Sequence, residues 1–310
     1  MFDDIRLHTI QAANTPLCDT LLCRAQRVAF HLESPMNPIR VGCVKYLNTL
    51  PLIEGLQSWK DGEVVAAVPS RLIGMLRSGE VDVALASVID AVGESKVTAL
   101  SVGMIGCDGP TLTVRLFSRV PIEKISSVAI DTESHTSAVL MQVILARRYG
   151  LRAPALRVVD FDAHERVVVA ASTNSTDAIL LIGDKVVTDA LPSDEYPHQL
   201  DLGQAWKEMT GLPFVYAVWM CRAGEERSER IRAVGEVLDR QRRHNATRLD
   251  WVIASRAAER HWPTELAANY VGTLLKYSVG AAEREAVEKF IRWASELQLC
   301  ADESVLWAEF

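Results

Sequence analysis

The chain is short of positive charge, of aromatic rings and of any long apolar run, and each shortage removes a class of function. Lys and Arg number 33 against 40 Asp and Glu, for a formal charge of -7. Bulk charge therefore cannot hold this protein to a phosphate backbone, and an anionic ligand has to be met by local groups. No stretch reaches the roughly 18 consecutive apolar residues of a membrane span; the longer runs, such as Val167 to Ala171, are of strand or helix length. The six cysteines (Cys18, Cys23, Cys43, Cys107, Cys221 and Cys300) are dispersed and form no CxxC pair, the pattern of reduced, buried thiols. No His or Cys pair stands at ligand spacing with a second pair elsewhere, so no metal site is expected. Residues 1 to 35 lack the apolar core and small-residue end of a secretory signal, which favours a cytoplasmic protein. No internal repeat is visible.

What is present is a hydrophobic content of 49% in 310 residues, enough for a full core without disulfide or metal staples and for one large or two moderate domains. Residues 1–38 show no periodicity and end in Ser34-Pro35-Met36-Asn37-Pro38. They read as a leader that is unstructured or not translated, with Met36 a candidate start. From Ile39 the register changes. Strands are expected at Ile39 to Val44, Glu63 to Val68, Val81 to Ala86, Val97 to Val102, Leu112 to Phe117, Ser127 to Asp131, Leu156 to Val159, Ala178 to Ile182 and Phe214 to Met220. Helices are expected from Pro51 through Trp59, at Arg71 to Ser78 with Ser70 as cap and Gly79 as stop, and at Thr136 to Tyr149, Asp162 to Ala171 and Gly203 to Met209. Such alternation indicates an α/β chain with mainly parallel sheets. From Gly224 onward the pattern is helical, and Arg240, Arg242 and Arg243 gather where cations suit a helix C-terminus rather than forming a nucleic-acid surface.

Four polar turns each follow a buried strand, the place where open α/β sheets bind ligands. They are Lys45 to Thr49, Gly106 to Pro110 with Thr111 to Thr113, Thr132 to Ser137, and Gly183-Asp184. The run Ser134-His135-Thr136-Ser137 opens a helix, where free N–H groups, hydroxyls and the dipole suit a carboxylate. The glycines and lysine of a phosphate loop are absent.

Taken in order, Tyr46-Leu47-Asn48-Thr49-Leu50-Pro51, Gly106-Cys107-Asp108-Gly109-Pro110, Asp131-Thr132 to Ser137, Leu180 to Asp184, Asp201-Leu202-Gly203 with Trp206-Lys207, and Thr210 to Phe214 with Ala217 to Trp219 resemble the signatures of one family. That family is the chorismate dehydratases of the futalosine route to menaquinone, and the resemblance runs from about Ile39 to Leu299. It implies an α/β fold of two lobes facing a ligand cleft, like type II periplasmic binding proteins. The lobes are expected to be 39–117 plus 217–300, and 118–216, with crossings near Phe117-Ser118 and Tyr216-Ala217. The implied reaction is loss of water from chorismate to give 3-(1-carboxyvinyloxy)benzoate, with no cofactor and no metal. The family's catalytic Asn falls on Asn48, and Thr113 stands where a Ser is common. Thr49, Ser87, Asp108, Gly109, Ser134, His135, Thr136, Ser137 and Asp184 are the expected substrate contacts. His135 replaces an Arg of the family pattern, a titratable cation in place of a fixed one.

Aromatisation supplies the driving force for that reaction, so the protein need only orient the substrate and manage its charge. No dedicated base is evident among the matched motifs. Asp108 precedes Gly-Pro and reads as a turn residue, which leaves a substrate carboxylate or a water to take the proton. The expected partners are therefore chorismate and, at most, a second copy of the chain, with neither nucleic acid nor membrane. Three other readings compete: a solute-binding protein of the same fold, the sister enzyme making 1,4-dihydroxy-6-naphthoate, and a ligand-sensing regulator. The last needs a DNA-binding module that the leader does not contain.

Overall fold

Two strands of the same apolar character, β1 (Ile39–Cys43) and β3 (Val83–Ser87), lie side by side in parallel, and Val41 and Val83 have no exposed surface. Burial on both faces explains why β3 reads as an unbroken apolar run. Around them a seven-stranded sheet is built in the order β11-β4-β10-β3-β1-β2, with β12 beside β4. Its further members are β2 (Gly62–Ala66), β4 (Val97–Cys107), β10 (Phe214–Arg222), β11 (Leu275–Lys276) and β12 (Leu306–Ala308). A second, five-stranded sheet runs β7-β6-β8-β5-β9, from β5 (Val114–Ser118), β6 (Ser127–Asp131), β7 (Ala155–Val159), β8 (Ala178–Ile182) and β9 (His198–Asp201). The computed structural model describes residues 37–93, 96–131, 133–152, 154–159, 176–189 and 191–310, and Pro38–Phe310 forms one compact unit. The leader, the helix expected at 162–171, Thr132, Cys18 and Cys23 lie outside the described residues.

The helices are α1 (Leu50–Ile53), α2 (Pro69–Ser78), α3 (His135–Tyr149), α4 (Lys185–Thr188), α5 (Leu202–Thr210), α6 (Glu229–Ala246), α7 (Leu249–Arg256), α8 (Thr264–Asn269) and α9 (Ala281–Glu296). The expected helix through Trp59 is only α1 followed by a 3-10 turn, because Gly55 adopts φ +94° and breaks the run. The cap of α2 is Val68 rather than Ser70, since Pro69 occupies the first helical position and places Ser70 inside the helix. In α6, Arg242 and Arg243 both pair with Asp239, and Arg242 also donates to the Val102 carbonyl. Among the described residues no helix is long and apolar enough to cross a membrane. Cys43, Cys107, Cys221 and Cys300 are free thiols, the first three buried.

The sheets are mixed rather than mainly parallel. The β1, β2 and β3 pairings and those of β6 with β7 and β8 are parallel, but β5 and β10 pair antiparallel with every neighbour. Those are the two strands on which the chain passes from one sheet to the other, and each enters its new sheet from the opposite direction. All of β5 belongs to the second sheet and all of β10 to the first. The change of sheet thus falls between Cys107 and Val114 and again between Asp201 and Phe214, upstream of the crossings expected at Phe117-Ser118 and Tyr216-Ala217. An apolar strand sequence carries no mark of which sheet it joins, and periodicity could not have made this distinction.

Aromatic packing spans the second crossing. Trp206 of α5 meets Phe214 of β10 edge-on at 5.3 Å and Phe290 of α9 at 6.2 Å, and its indole N–H donates to the Pro213 carbonyl at 2.9 Å. Trp206 is fully buried. The first crossing is held by Asp201, the cap of α5. Its carboxylate accepts the N–H of Gln204, Thr111 and Leu112 at 3.1, 2.9 and 2.8 Å and lies 3.5 Å from Arg115. The clamp holds Leu112 at φ +70°, a left-handed backbone that disfavours a side chain.

Gly203 makes that approach possible. A Cβ on it would stand 2.1 Å from Thr111 Oγ1 and 2.6 Å from both Cys107 Sγ and the Gly109 carbonyl. Gly203→Ala is accordingly expected to destabilise the protein by about 1–3 kcal/mol or more, read as a lowered denaturant midpoint at unchanged slope. A midpoint within error of the parent's would contradict this packing.

Candidate functional site

A cleft opens at the carboxyl ends of the central strands, with about 670 Å³ of empty space that includes the open solvent at its mouth. Its apolar lining includes Leu85, Ile105 and Leu275, and its polar groups come from turns of both sheets. Asn48 follows β1, Ser87 ends β3, Thr113 ends the first crossing, and Ser134 to Ser137 open α3 after β6. Seven of the sequence candidates (Asn48, Ser87, Thr113, Ser134, His135, Thr136 and Ser137) therefore line one cavity. Thr49, Asp108, Gly109 and Asp184 do not line it. Thr49 is buried and donates to the Val44 and Tyr46 carbonyls at 3.1 and 2.8 Å, which shapes the turn that presents Asn48. Asp108 is exposed and pairs with Lys207 at 2.5 Å. Gly109 supplies φ +130° to the same turn. Asp184 accepts the Leu47 N–H at 3.3 Å from the opposite sheet, beside Gly183, where a Cβ would come within 3.3 Å of the Tyr46 ring.

Within the Ser134–Ser137 run the four side chains are not equivalent. Thr136 donates to the Tyr216 carbonyl at 3.0 Å and accepts the Ile89 N–H at 3.4 Å, so its hydroxyl ties α3 to the first sheet. His135 Nδ1 lies 3.1 Å from Asp90; the hydrogen bond to Asp90, ahead of the opposing effect of burial, raises its pKa above the ordinary 6.5. Ser134 caps α3 in position only: its hydroxyl makes no capping bond and is buried without a partner. On the other wall, Asn48 Oδ1 is likewise buried and unbonded. A buried polar atom left unpaired costs free energy, so two such atoms lining one cleft at a helix N-terminus mark it as built for a guest. The arrangement suits a carboxylate at Ser134 and the start of α3 and a hydroxyl donor at Asn48.

Further cleft residues were not among those candidates. Tyr46 donates its phenol to Glu133, whose carboxylate also stands 3.7 Å from Lys185, itself paired with Asp131 at 2.7 Å. Burial first, and then Glu133, push the Tyr46 phenol far up, so it remains a donor. Tyr216 bonds Thr111 at 2.6 Å and Tyr270 bonds Thr113 at 2.6 Å. Glu133 adjoins the recognised run and was within reach of inspection. Tyr270 is 157 residues from Thr113, and only the fold brings them together. Among the described residues no group of three or more His, Cys, Asp or Glu could hold a metal ion.

Two titrations follow from these contacts. Burial, outweighing the Leu47 N–H and Arg260, raises Asp184 from the ordinary 3.8 to about 6. Folded protein then binds a proton more tightly than unfolded, so stability is full below pH 3.8 and declines as pH rises to about 6. His135 acts in the same sense in a higher window: its bond to Asp90 stabilises below pH 6.5 and is lost as pH rises through its elevated value. Thermal unfolding across pH 4 to 9 is expected to lose the lower decline in Asp184→Asn and the upper one in His135→Gln. Parallel profiles for both variants and the parent would refute these assignments.

Comparison with known proteins places this geometry in a lineage. A family model described as menaquinone biosynthesis matches residues 39–296. A chorismate dehydratase of Thermus thermophilus is 31% identical over 212 residues, which is 60% of this chain and 71% of that protein. Among solved structures, a protein of Archaeoglobus fulgidus superposes with a TM-score of 0.65 at 18% identity, over 85% of this chain and 99% of its own. The alkanesulfonate-binding protein of Xanthomonas axonopodis, bound to MOPS, gives 0.64 at 13% identity over 88% and 99%. A Candida albicans protein described as having the generic periplasmic binding protein fold gives 0.62 at 14% identity over 86% and 92%. At such identities the likeness is one of fold, and the two-sheet architecture is that of the periplasmic binding proteins. The match over 39–296, together with the Thermus relative, settles descent more finely than fold does: this chain belongs to the menaquinone biosynthesis family.

Proposed function

We propose that the protein is a cytoplasmic hydro-lyase that removes water from chorismate to give 3-(1-carboxyvinyloxy)benzoate. One observation carries the reading beyond family membership: Asn48 Oδ1 and Ser134 Oγ, both buried and unbonded, line the same cleft. A dicarboxylate that also bears a ring hydroxyl fits that pair. One carboxylate accepts hydrogen bonds from the Ser134 hydroxyl and the free N–H groups at the start of α3, while the ring hydroxyl donates to Asn48 Oδ1. His135, held by Asp90, adds positive charge on the same side as pH falls.

The chemistry asks little more. The C–H bond beside the enolpyruvyl ether breaks, its electron pair enters the ring, the neighbouring C–O bond breaks, and hydroxide leaves with a proton as water. The ring becomes aromatic, which drives the step. Charge builds on the substrate as the proton departs, and fixed neutral donors in a partly desolvated cleft stabilise it. The proton acceptor is assigned to a substrate carboxylate or a bound water. Asp108 is outside the cleft and paired with Lys207. The Glu133 carboxylate is engaged by the Tyr46 phenol beside Lys185. Neither is free to serve.

Purified protein incubated with chorismate is expected to yield the dehydrated aromatic product, followed by chromatography and mass. Asn48→Ala is expected to lower turnover by about a hundredfold or more, whereas Asp108→Asn leaves it within a few-fold. Tight binding of chorismate without conversion would overturn the enzymatic reading in favour of a receptor-like binding protein. Loss of turnover in Asp108→Asn with binding and folding intact would move the base to Asp108.

A further inference from the structure

Tyr270 opens a single π-helical turn, Tyr270–Leu274, directly after α8, and such turns are frequent at functional sites. The residue is 1% exposed yet belongs to the cleft lining. Its ring is stacked on Trp262, with centroids 5.1 Å apart and planes inclined by 9°, so the phenol oxygen has one position. That oxygen lies 2.6 Å from Thr113 Oγ1. Two segments far apart in sequence, the first crossing and the C-terminal helices, thus meet at one hydrogen bond.

We propose that Tyr270 is a positioning residue for the dehydration, its phenol orienting the Thr113 hydroxyl toward the substrate. The inference rests on the chorismate reading above. A phenol is a stronger donor than an aliphatic alcohol, so the short bond runs from Tyr270 to Thr113 Oγ1. The proton of Thr113 is then directed into the cleft instead of back at the tyrosine. A phenylalanine would fill the same space on Trp262. The hydroxyl of Tyr270 is therefore explained by the Thr113 hydroxyl it aims, not by packing. The same contact accounts for Thr113 where the family pattern commonly has Ser: the added methyl restricts rotation, and Tyr270 selects the rotamer that presents the hydroxyl.

The test is a double-mutant cycle on chorismate turnover with the parent, Tyr270→Phe, Thr113→Val and the double variant. Tyr270→Phe is expected to lower kcat roughly tenfold to a hundredfold. KM should stay within about twofold, because the lost interaction aligns rather than binds. In the Thr113→Val background the same change is expected to alter kcat less than about twofold, since both act through one hydroxyl. Near-ultraviolet circular dichroism and the unfolding midpoint of Tyr270→Phe should match the parent. The inference is overturned if Tyr270→Phe keeps parental kcat, if the two losses multiply in the double variant, or if lost activity tracks a lost folded fraction. Parental turnover with an unaffected Tyr270→Phe refutes this inference alone. Absence of turnover in the parent refutes the chorismate reading and this inference with it.

Discussion

Much of the site hangs on one carboxylate. Asp201 ends β9, caps α5 and grips the backbone of the first crossing through Thr111 and Leu112. Holding a leucine at φ +70° is unfavourable, and such strain persists where surrounding contacts over-determine the backbone. Here they do: Gly203 lets α5 approach to contact distance, Tyr216 holds the Thr111 hydroxyl, and Thr113 emerges on the next residue with its own hydroxyl against Tyr270. The turn between the sheets is thus a rigid mount for a side chain in the cleft. It also fixes where β5 begins, and with it the antiparallel pairing that makes the second sheet mixed.

Much of the fold was legible because its cues are local. The apolar runs of β1, β3, β6 and β8, the glycine stop of α2 and the start of α3 are properties of a few neighbouring residues, and the structure places these elements within a residue or two of expectation. Sheet membership was not legible, because it depends on partners far along the chain. Short strands such as β9, β11 and β12 were missed for the same reason: His198–Asp201 and Leu275–Lys276 have no apolar alternation of their own and exist only as additions to β5 and β4.

The cleft divides along the same line. Asn48, Thr113 and the run from Ser134 to Ser137 stand in turns after strands, and position alone made them candidates. Their inequality became visible only in three dimensions. Thr136 is engaged by the frame, His135 by Asp90, and Ser134 is left free. Tyr216 and Tyr270 could not be told from other buried aromatic residues until their partners were known, whereas Tyr46 and Glu133 adjoin recognised runs. Asp108 and Asp184 show the reverse error, in which a polar residue at a turn serves that turn or the contact between sheets.

The account holds that the unpaired oxygens of Asn48 and Ser134 are completed by one ligand lying across the cleft. The most direct test is a crystal structure of the protein soaked briefly with chorismate, with both groups left in place. The account expects one carboxylate against Ser134 Oγ and the first N–H groups of α3, with a ring hydroxyl turned to Asn48 Oδ1. Ligand density outside the cleft, or a carboxylate seated on Lys185 with Ser134 still unbonded, would contradict it.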